Sequence, residues 1–197
     1  VVLNDEVRQA FPFLLPFGII GIWRWSLFFF RVVFWLCYRP IRPKKNQVNG
    51  TLENRYKSSD VTIIVPTIDN GEEFLQAVEY WKKNAPHEII VVTSTKMEEE
   101  MRKTCQSLEI ANGPPFRVLA VAKPNKRVQI VTGVNAATTD IVALSDDDAI
   151  WTEHFLEWCL APFDDDRMGG VGSKQVMIPV DKDRGATFWE VIADFRL

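Results

Sequence analysis

An apolar run that breaks abruptly into three carboxylates constrains this chain more than any other stretch. In Asp140-Ile141-Val142-Ala143-Leu144-Ser145-Asp146-Asp147-Asp148-Ala149-Ile150-Trp151, four successive apolar residues bounded by polar ones suit a strand covered on both faces. In open α/β sheets, ligands sit outside the carboxyl ends of such strands. Three adjacent carboxylates repel one another, and a divalent cation relieves that repulsion. Their hard oxygens suit Mg²⁺ or Mn²⁺, ions that commonly bridge to substrate phosphates. In an extended segment alternate side chains point the same way, so Asp146 and Asp148 are expected to face one ligand while Asp147 faces elsewhere. The plain alternative is an acidic loop capping the next helix, because Asp is a common N-cap and loop residue.

The surrounding sequence reads as alternating strands and helices. Val61-Thr62-Ile63-Ile64-Val65 is β-branched and ends at Pro66, which cannot continue a central strand. Asn70 and Glu73 have capping-box spacing, and Phe74, Leu75, Val78 and Trp81 recur at helical spacing until Ala85-Pro86. Residues 88–93 form a second apolar strand, and Met97, Met101, Cys105 and Leu108 mark a second helix. Residues 116–122 form a third strand. Lys126-Arg127 then opens a helix patterned by Val128, Val131 and Val134. Basic residues oppose the dipole at a helix start, which makes sense if an anion binds beside them; otherwise they are solvated surface charges. Thr152 is expected to cap a helix carrying Phe155, Leu156, Cys159 and Leu160, and Asp164-Asp165-Asp166 to form a solvated loop. Residues 174–180 read as a further strand, and an apolar helix is expected from Phe188. The implied fold class is α/β, a mostly parallel sheet whose strand ends open on one edge.

The first residues differ from the rest. From Phe11 to Tyr38 the only charges are Arg24 and Arg31, and a helix of that length exceeds the roughly 30 Å hydrocarbon core of a bilayer. Each arginine costs roughly 2.5–3.5 kcal/mol at a helix centre, and seven residues apart they share a face. Two arrangements satisfy this: a span whose Arg face meets other helices, or an interfacial helix with Trp23, Trp25, Trp35 and Tyr38 at headgroup level. Length favours the span. Arg39, Arg42, Lys44 and Lys45 follow, and positive charge beside a span marks the cytoplasmic side. The expected domains are thus 1–45 as a membrane helix with a basic flank, 46–60 as a linker, and 61–197 as the globular part, lying in the cytosol at the plasma membrane or an endomembrane.

The formal net charge of −3 over 197 residues, with no long cationic stretch in the folded part, argues against nucleic acid. Three widely spaced cysteines, Cys37, Cys105 and Cys159, make neither a disulfide framework nor a zinc site. No Gly-x-Gly-x-x-Gly or phosphate-loop pattern follows any strand.

Four segments in order, residues 61–67, Lys126-Arg127, Ser145-Asp146-Asp147-Asp148 and Gly169-Gly170-Val171-Gly172, resemble the membrane-bound family 2 glycosyltransferases. Within them the chain looks like the hyaluronan, chitin and cellulose synthase branch, and most like fungal type 2 glycosyltransferases related to capsular polysaccharide synthases. The resemblance covers about residues 61–180. It implies a GT-A fold and inverting transfer from a UDP-sugar to a growing polysaccharide or other glycan acceptor. It also implies a set of site residues. Pro66 and Thr67 border the uridine, Asp69 stands in the same substrate-binding segment, Lys126 and Arg127 approach the nucleotide, Asp146 contacts the ribose or donor sugar, and Asp148, with Asp146, holds Mg²⁺ or Mn²⁺.

The chain departs from the family pattern at three places. Val92-Thr93-Ser94-Thr95 stands where the family usually has an Asp after the second strand, and Ile68-Asp69 replaces an aromatic-Asn pair. The later acceptor base and the Gln-x-x-Arg-Trp motif do not occur before Leu197. The expectation is an amino-terminal portion that is incomplete at its carboxyl end, carries the donor site, and does not turn over by itself. The rival reading is a membrane-attached nucleotide-binding or assembly module without catalysis.

Overall fold

The computed structural model describes residues 14–45, 53–108, 113–173, 175 and 187. The strand expected at 174–180 and the helix expected from Phe188 lie outside the described residues. The chain divides into two compact units, Val1–Pro40 and Ile41–Leu197. The described part of the first holds helix α1, Leu14–Cys37, of 24 residues, which spans about 36 Å at 1.5 Å per residue. Within it Gly18–Cys37 is long and apolar enough to cross a bilayer. Trp23, Phe29, Phe34 and Trp35 are all exposed, so the helix presents large apolar side chains on most of its circumference, broken by the face that carries Arg24 and Arg31. Such a helix needs either a protein core or lipid around it.

Among the described residues the second unit has four strands: β1, Val61–Pro66; β2, Glu88–Ser94; β3, Phe116–Val121; and β4, Ile141–Leu144. All pair in parallel in the order β3-β2-β1-β4. Pro66 is the last residue of β1, where its missing N–H breaks no ladder bond. Strands β1 and β2 are covered on both faces: Ile63, Val65, Ile89 and Val91 face one core, and Ile64, Ile90 and Val92 face another. The run expected to be covered in this way, β4, is not, for Ile141, Val142 and Ala143 are only half-buried and Leu144 is 57% exposed.

On the first face lie α2, Glu72–Lys83, and α3, Glu98–Leu108. Helix α2 buries Phe74, Ala77, Val78 and Trp81, the i, i+3, i+4, i+7 stripe of an amphipathic helix. Its acids Glu72 and Glu73 start it, and Lys82 and Lys83 end it, complementing the dipole. The capping box expected at Asn70 does not form. Gly71 is the N-cap, without a side-chain bond. Asn70 instead donates to Glu100 Oε1 at 3.0 Å and Thr104 Oγ1 at 3.3 Å on α3, which ties the loop after β1 to its neighbour. Helix α5, Phe155–Leu160, adds Leu156 and Leu160 to this face. His154, not Thr152, is its N-cap residue, and no side chain caps it.

The second face is covered by α4, Lys126–Ala136, and here the sequence pattern inverts. Val128, Val131 and Val134 are exposed at 50%, 57% and 41%, while Gln129 and Gly133 are buried. Gly133 explains the inversion: a Cβ there would lie 2.5 Å from Ile64 Cγ2 and 3.2 Å from Val92 Cγ2. The helix axis comes so close to the sheet at this point that only hydrogen fits, and the valines are left on the other side.

The second unit starts earlier than position 61. Of the stretch expected to be a linker over 46–60, the described part, residues 53–60, packs on the globular unit. Asn54 is buried and accepts from the Lys44 amide at 2.9 Å. Tyr56 meets Phe163 edge-on at 6.4 Å between ring centroids. The Arg55 amide donates to Asp164 Oδ1 at 2.9 Å, Lys44 Nζ lies 2.8 Å from Asp164 Oδ2, and the Arg55 guanidinium pairs with Asp166. Asp164-Asp165-Asp166 is therefore an ionic clasp and not merely a solvated loop. The Arg55 amide, and then Lys44, hold the Asp164 carboxyl below the usual carboxylate range.

Candidate active site

At the carboxyl end of β1, the Thr67 amide continues the sheet by donating to the Val92 carbonyl at 3.0 Å. The Thr67 hydroxyl accepts the Asp69 amide at 3.0 Å, closing a tight turn. It lies 2.7 Å from the Asp69 carbonyl and 2.5 Å from Asp147 Oδ2. A hydroxyl has one proton to donate. The carboxylate is closer and charged, so it draws that proton more strongly than the carbonyl.

At the end of β4, the Ser145 amide still donates to Ile64 at 3.1 Å, and the chain then leaves the sheet. The Ala149 amide donates to the Asp146 carbonyl at 3.2 Å, so Asp146–Asp148 form a turn rather than an extended segment. Alternation along a strand therefore does not set their directions, which corrects the basis on which Asp146 and Asp148 were paired. Asp146 is held by Lys126 at 2.5 Å, Asp147 by Thr67, and Asp148 is exposed with no hydrogen bond or ion pair among the described residues. On the far side of the turn, Trp81 Nε1 donates to the Ala149 carbonyl at 2.9 Å. A fully buried core indole thus fixes where the turn ends.

The basic pair begins α4 as expected. Asn125 caps this helix, its side chain accepting from the Arg127 amide at 3.0 Å. Lys126 is drawn to Asp146, whereas Arg127 is exposed without an ion pair among the described residues. Thr67, Asp69, Lys126, Asp146 and Asp147 thus form one connected group at the strand ends. Pro66 borders it by position, and Arg127 and Asp148 stand at its open side without contacts.

Asn125 and Gln129 were not singled out from the sequence. An Asn just before a helix start is a recognisable cap residue. Gln129 had no such signal: a lone polar residue on a valine-rich helix reads as surface. It is buried, and its amide nitrogen donates to the Thr67 carbonyl at 2.9 Å and the Val92 carbonyl at 2.8 Å.

Among the described residues, no three His, Cys, Asp or Glu side chains converge as a ready-made metal cage. The donor set nevertheless fits Mg²⁺ or Mn²⁺. It consists of carboxylate oxygens on a partly exposed turn, and such ions are usually held by one or two carboxylates, with substrate phosphates and water completing the shell. Burial pushes the Cys159 thiol pKa up, which disfavours its thiolate form.

The second unit is thus a parallel α/β sheet with an acid turn and a basic helix start at its strand ends. Residues 59–196 match the glycosyltransferase-like family 2, and the chain belongs to that family. It is 36% identical over 121 residues to a type 2 glycosyltransferase of Pyricularia oryzae, covering 61% of this chain and 24% of that protein. It is 32% identical over 189 residues to the NDP-glycosyltransferase ltbB of Aspergillus luteorubrus, covering 93% and 44%. A type 2 glycosyltransferase of Zymoseptoria tritici is 36% identical over 146 residues, covering 74% and 29%. The chain thus spans less than half the length of the curated relatives it matches. The α/β fold and the fungal type 2 resemblance expected from the sequence are borne out.

Proposed function

We propose that this chain carries the donor half of a membrane-attached glycosyltransferase, which passes sugar with inversion from a UDP-sugar to a polysaccharide or other glycan acceptor. The observation that supports this reading best is the meeting of Lys126, Asp146, Thr67 and Asp147 at the ends of two adjacent parallel strands. Thr67 and Asp69 would border the uridine together with Pro66, and Asp146 would meet the ribose or donor sugar. Lys126 and Arg127 would face the diphosphate, the role left open for cations at a helix start.

Asp148 and Asp146 would hold Mg²⁺ or Mn²⁺, which when bound offsets negative charge on the departing diphosphate. For Asp146 to take part, Lys126 must let go of it. The diphosphate gives Lys126 another anion to pair with, so the exchange need not leave a bare charge. Removal of the acceptor proton requires a general base. The apolar helix α1 would hold this domain at a bilayer, with the Arg39–Lys45 flank on the cytosolic side.

The test is a UDP titration of the whole chain in detergent, with and without Mn²⁺, on wild type and on Asp148→Ala. The expected result is tighter binding with Mn²⁺ in wild type and a loss of about tenfold or more in Asp148→Ala, confined to the Mn²⁺ arm, as removal of a charged ligand predicts. Equal affinity in all four conditions would overturn the assignment.

A further inference from the structure

Helix α4 reaches the acid turn by two routes. Lys126 reaches it directly, pairing with Asp146. The second route starts one turn further along, at Gln129. Only an amide nitrogen can face two carbonyl oxygens, so its two N–H groups are both committed, one to Thr67 and one to Val92. The Val92 carbonyl also accepts the Thr67 amide. Its two lone pairs are filled, and the ends of β1 and β2 are joined at one point. From that point the Thr67 hydroxyl reaches Asp147 at 2.5 Å. Gly133, four residues on and therefore on the same face of α4, permits this by letting the helix lie close to Ile64 and Val92. With a larger residue there, α4 would have to move away from the sheet and draw the amide away from both carbonyls.

We propose that Gln129 is a positioning residue for the acid turn. By pinning the Thr67 carbonyl it fixes where the Thr67 hydroxyl holds Asp147, and with Lys126 on Asp146 it makes α4 the template against which the carboxylates are arranged. This rests on the donor-site reading above as far as ligand is concerned, but its structural part can be read without ligand. Gln129 touches no reacting atom. It acts through Thr67, and what it controls is the geometry of the turn that receives the cation and diphosphate.

The experiment compares hydrogen exchange in the whole chain, in detergent, for wild type and Gln129→Met, a variant of similar volume without a donor. Exchange at residues 145–149 and 67–70 should rise about tenfold, as loss of a buried hydrogen bond predicts, while the amides of β2 and β3 stay at wild-type rates. Gln129→Asn keeps the amide but shortens its reach by one methylene; it should show the same pattern, and serves if the methionine variant does not fold. Unchanged exchange in the turn, or a uniform rise over the sheet, would overturn the proposal. In the UDP titration, Gln129→Met should lose the Mn²⁺ enhancement while keeping metal-free affinity. Equal losses in both arms would assign Gln129 a merely structural role. If wild type shows no Mn²⁺-dependent affinity, the donor-site reading falls, and the exchange pattern still decides for or against Gln129.

Discussion

Two runs of three aspartates lie eighteen residues apart, and the molecule uses them in opposite ways. Asp146–Asp148 follow a strand, so the sheet delivers them to its open end, where each is treated differently: one paired, one hydrogen-bonded, one exposed. Asp164–Asp166 begin at the last residue of a 3₁₀ turn, Ala161–Asp164, that continues a short helix, and are occupied with holding the chain together. Lys44 and the Arg55 amide take Asp164, Arg167 takes Asp165, and the Arg55 guanidinium takes Asp166. Composition alone does not separate a candidate ligand site from a clasp. What separates them is the element that precedes each run and the number of protein donors already committed to it.

That contrast can be attacked most strongly from the core. Trp81→Ala removes a fully buried indole and the bond to Ala149, and should cost about 3–5 kcal/mol in a denaturant melt. Trp81→Phe keeps most of the packing but not the donor, and should cost about 1–3 kcal/mol. It should also loosen the first acid run in hydrogen exchange and leave the second unchanged. If both runs loosen alike, Trp81 does not serve the first run in particular.

Asp164→Asn attacks the other side. It keeps an oxygen for the Arg55 amide but loses the charge that holds Lys44, so with the site partly solvated the loss should be about 1 kcal/mol. Limited proteolysis should then cut between residues 53 and 60 faster, while UDP affinity stays at the wild-type value. A drop in UDP affinity would show that the two runs are coupled.

The smallest effect is that of pH. The folded Asp164 pKa lies below its ordinary 3.8. Its contribution is therefore fully present above the unfolded value and is lost as pH falls through the lower folded value. Lys44 is shifted upward from 10.5, mainly by its hydrogen bond to Asp164, so its part is present below that value and is lost only in strong alkali. Protease cutting between residues 53 and 60, followed with an acid-stable protease, should stay constant near neutrality and accelerate below about pH 4. Asp164→Asn should flatten most of that acid step. An acid step of wild-type size in the variant would assign it to other carboxylates.

Much of this was legible because strand burial follows from composition. Residues 61–66, 88–94 and 116–121 are β-branched or apolar almost throughout, and only a doubly covered strand makes use of that. The strand ends, and hence the place of the candidate site, followed. Local side-chain choices were less legible. Asn70 has cap chemistry but finds partners on α3, which no local pattern shows. The valines of α4 mark its outer face because Gly133 sets the helix approach, and the meaning of a glycine depends on what it packs against. The clasp was hidden for a similar reason: Lys44 and Arg55 lie more than a hundred positions from the acids they bind.

The outer side of β4 also has a consequence. This four-residue strand pairs with β1 on one side only among the described residues, and its last residue, Leu144, stands two positions before Asp146. Any backbone that comes to hydrogen-bond along that rim will run directly past the acids. Extending the sheet there and walling off the acid turn would be one and the same event.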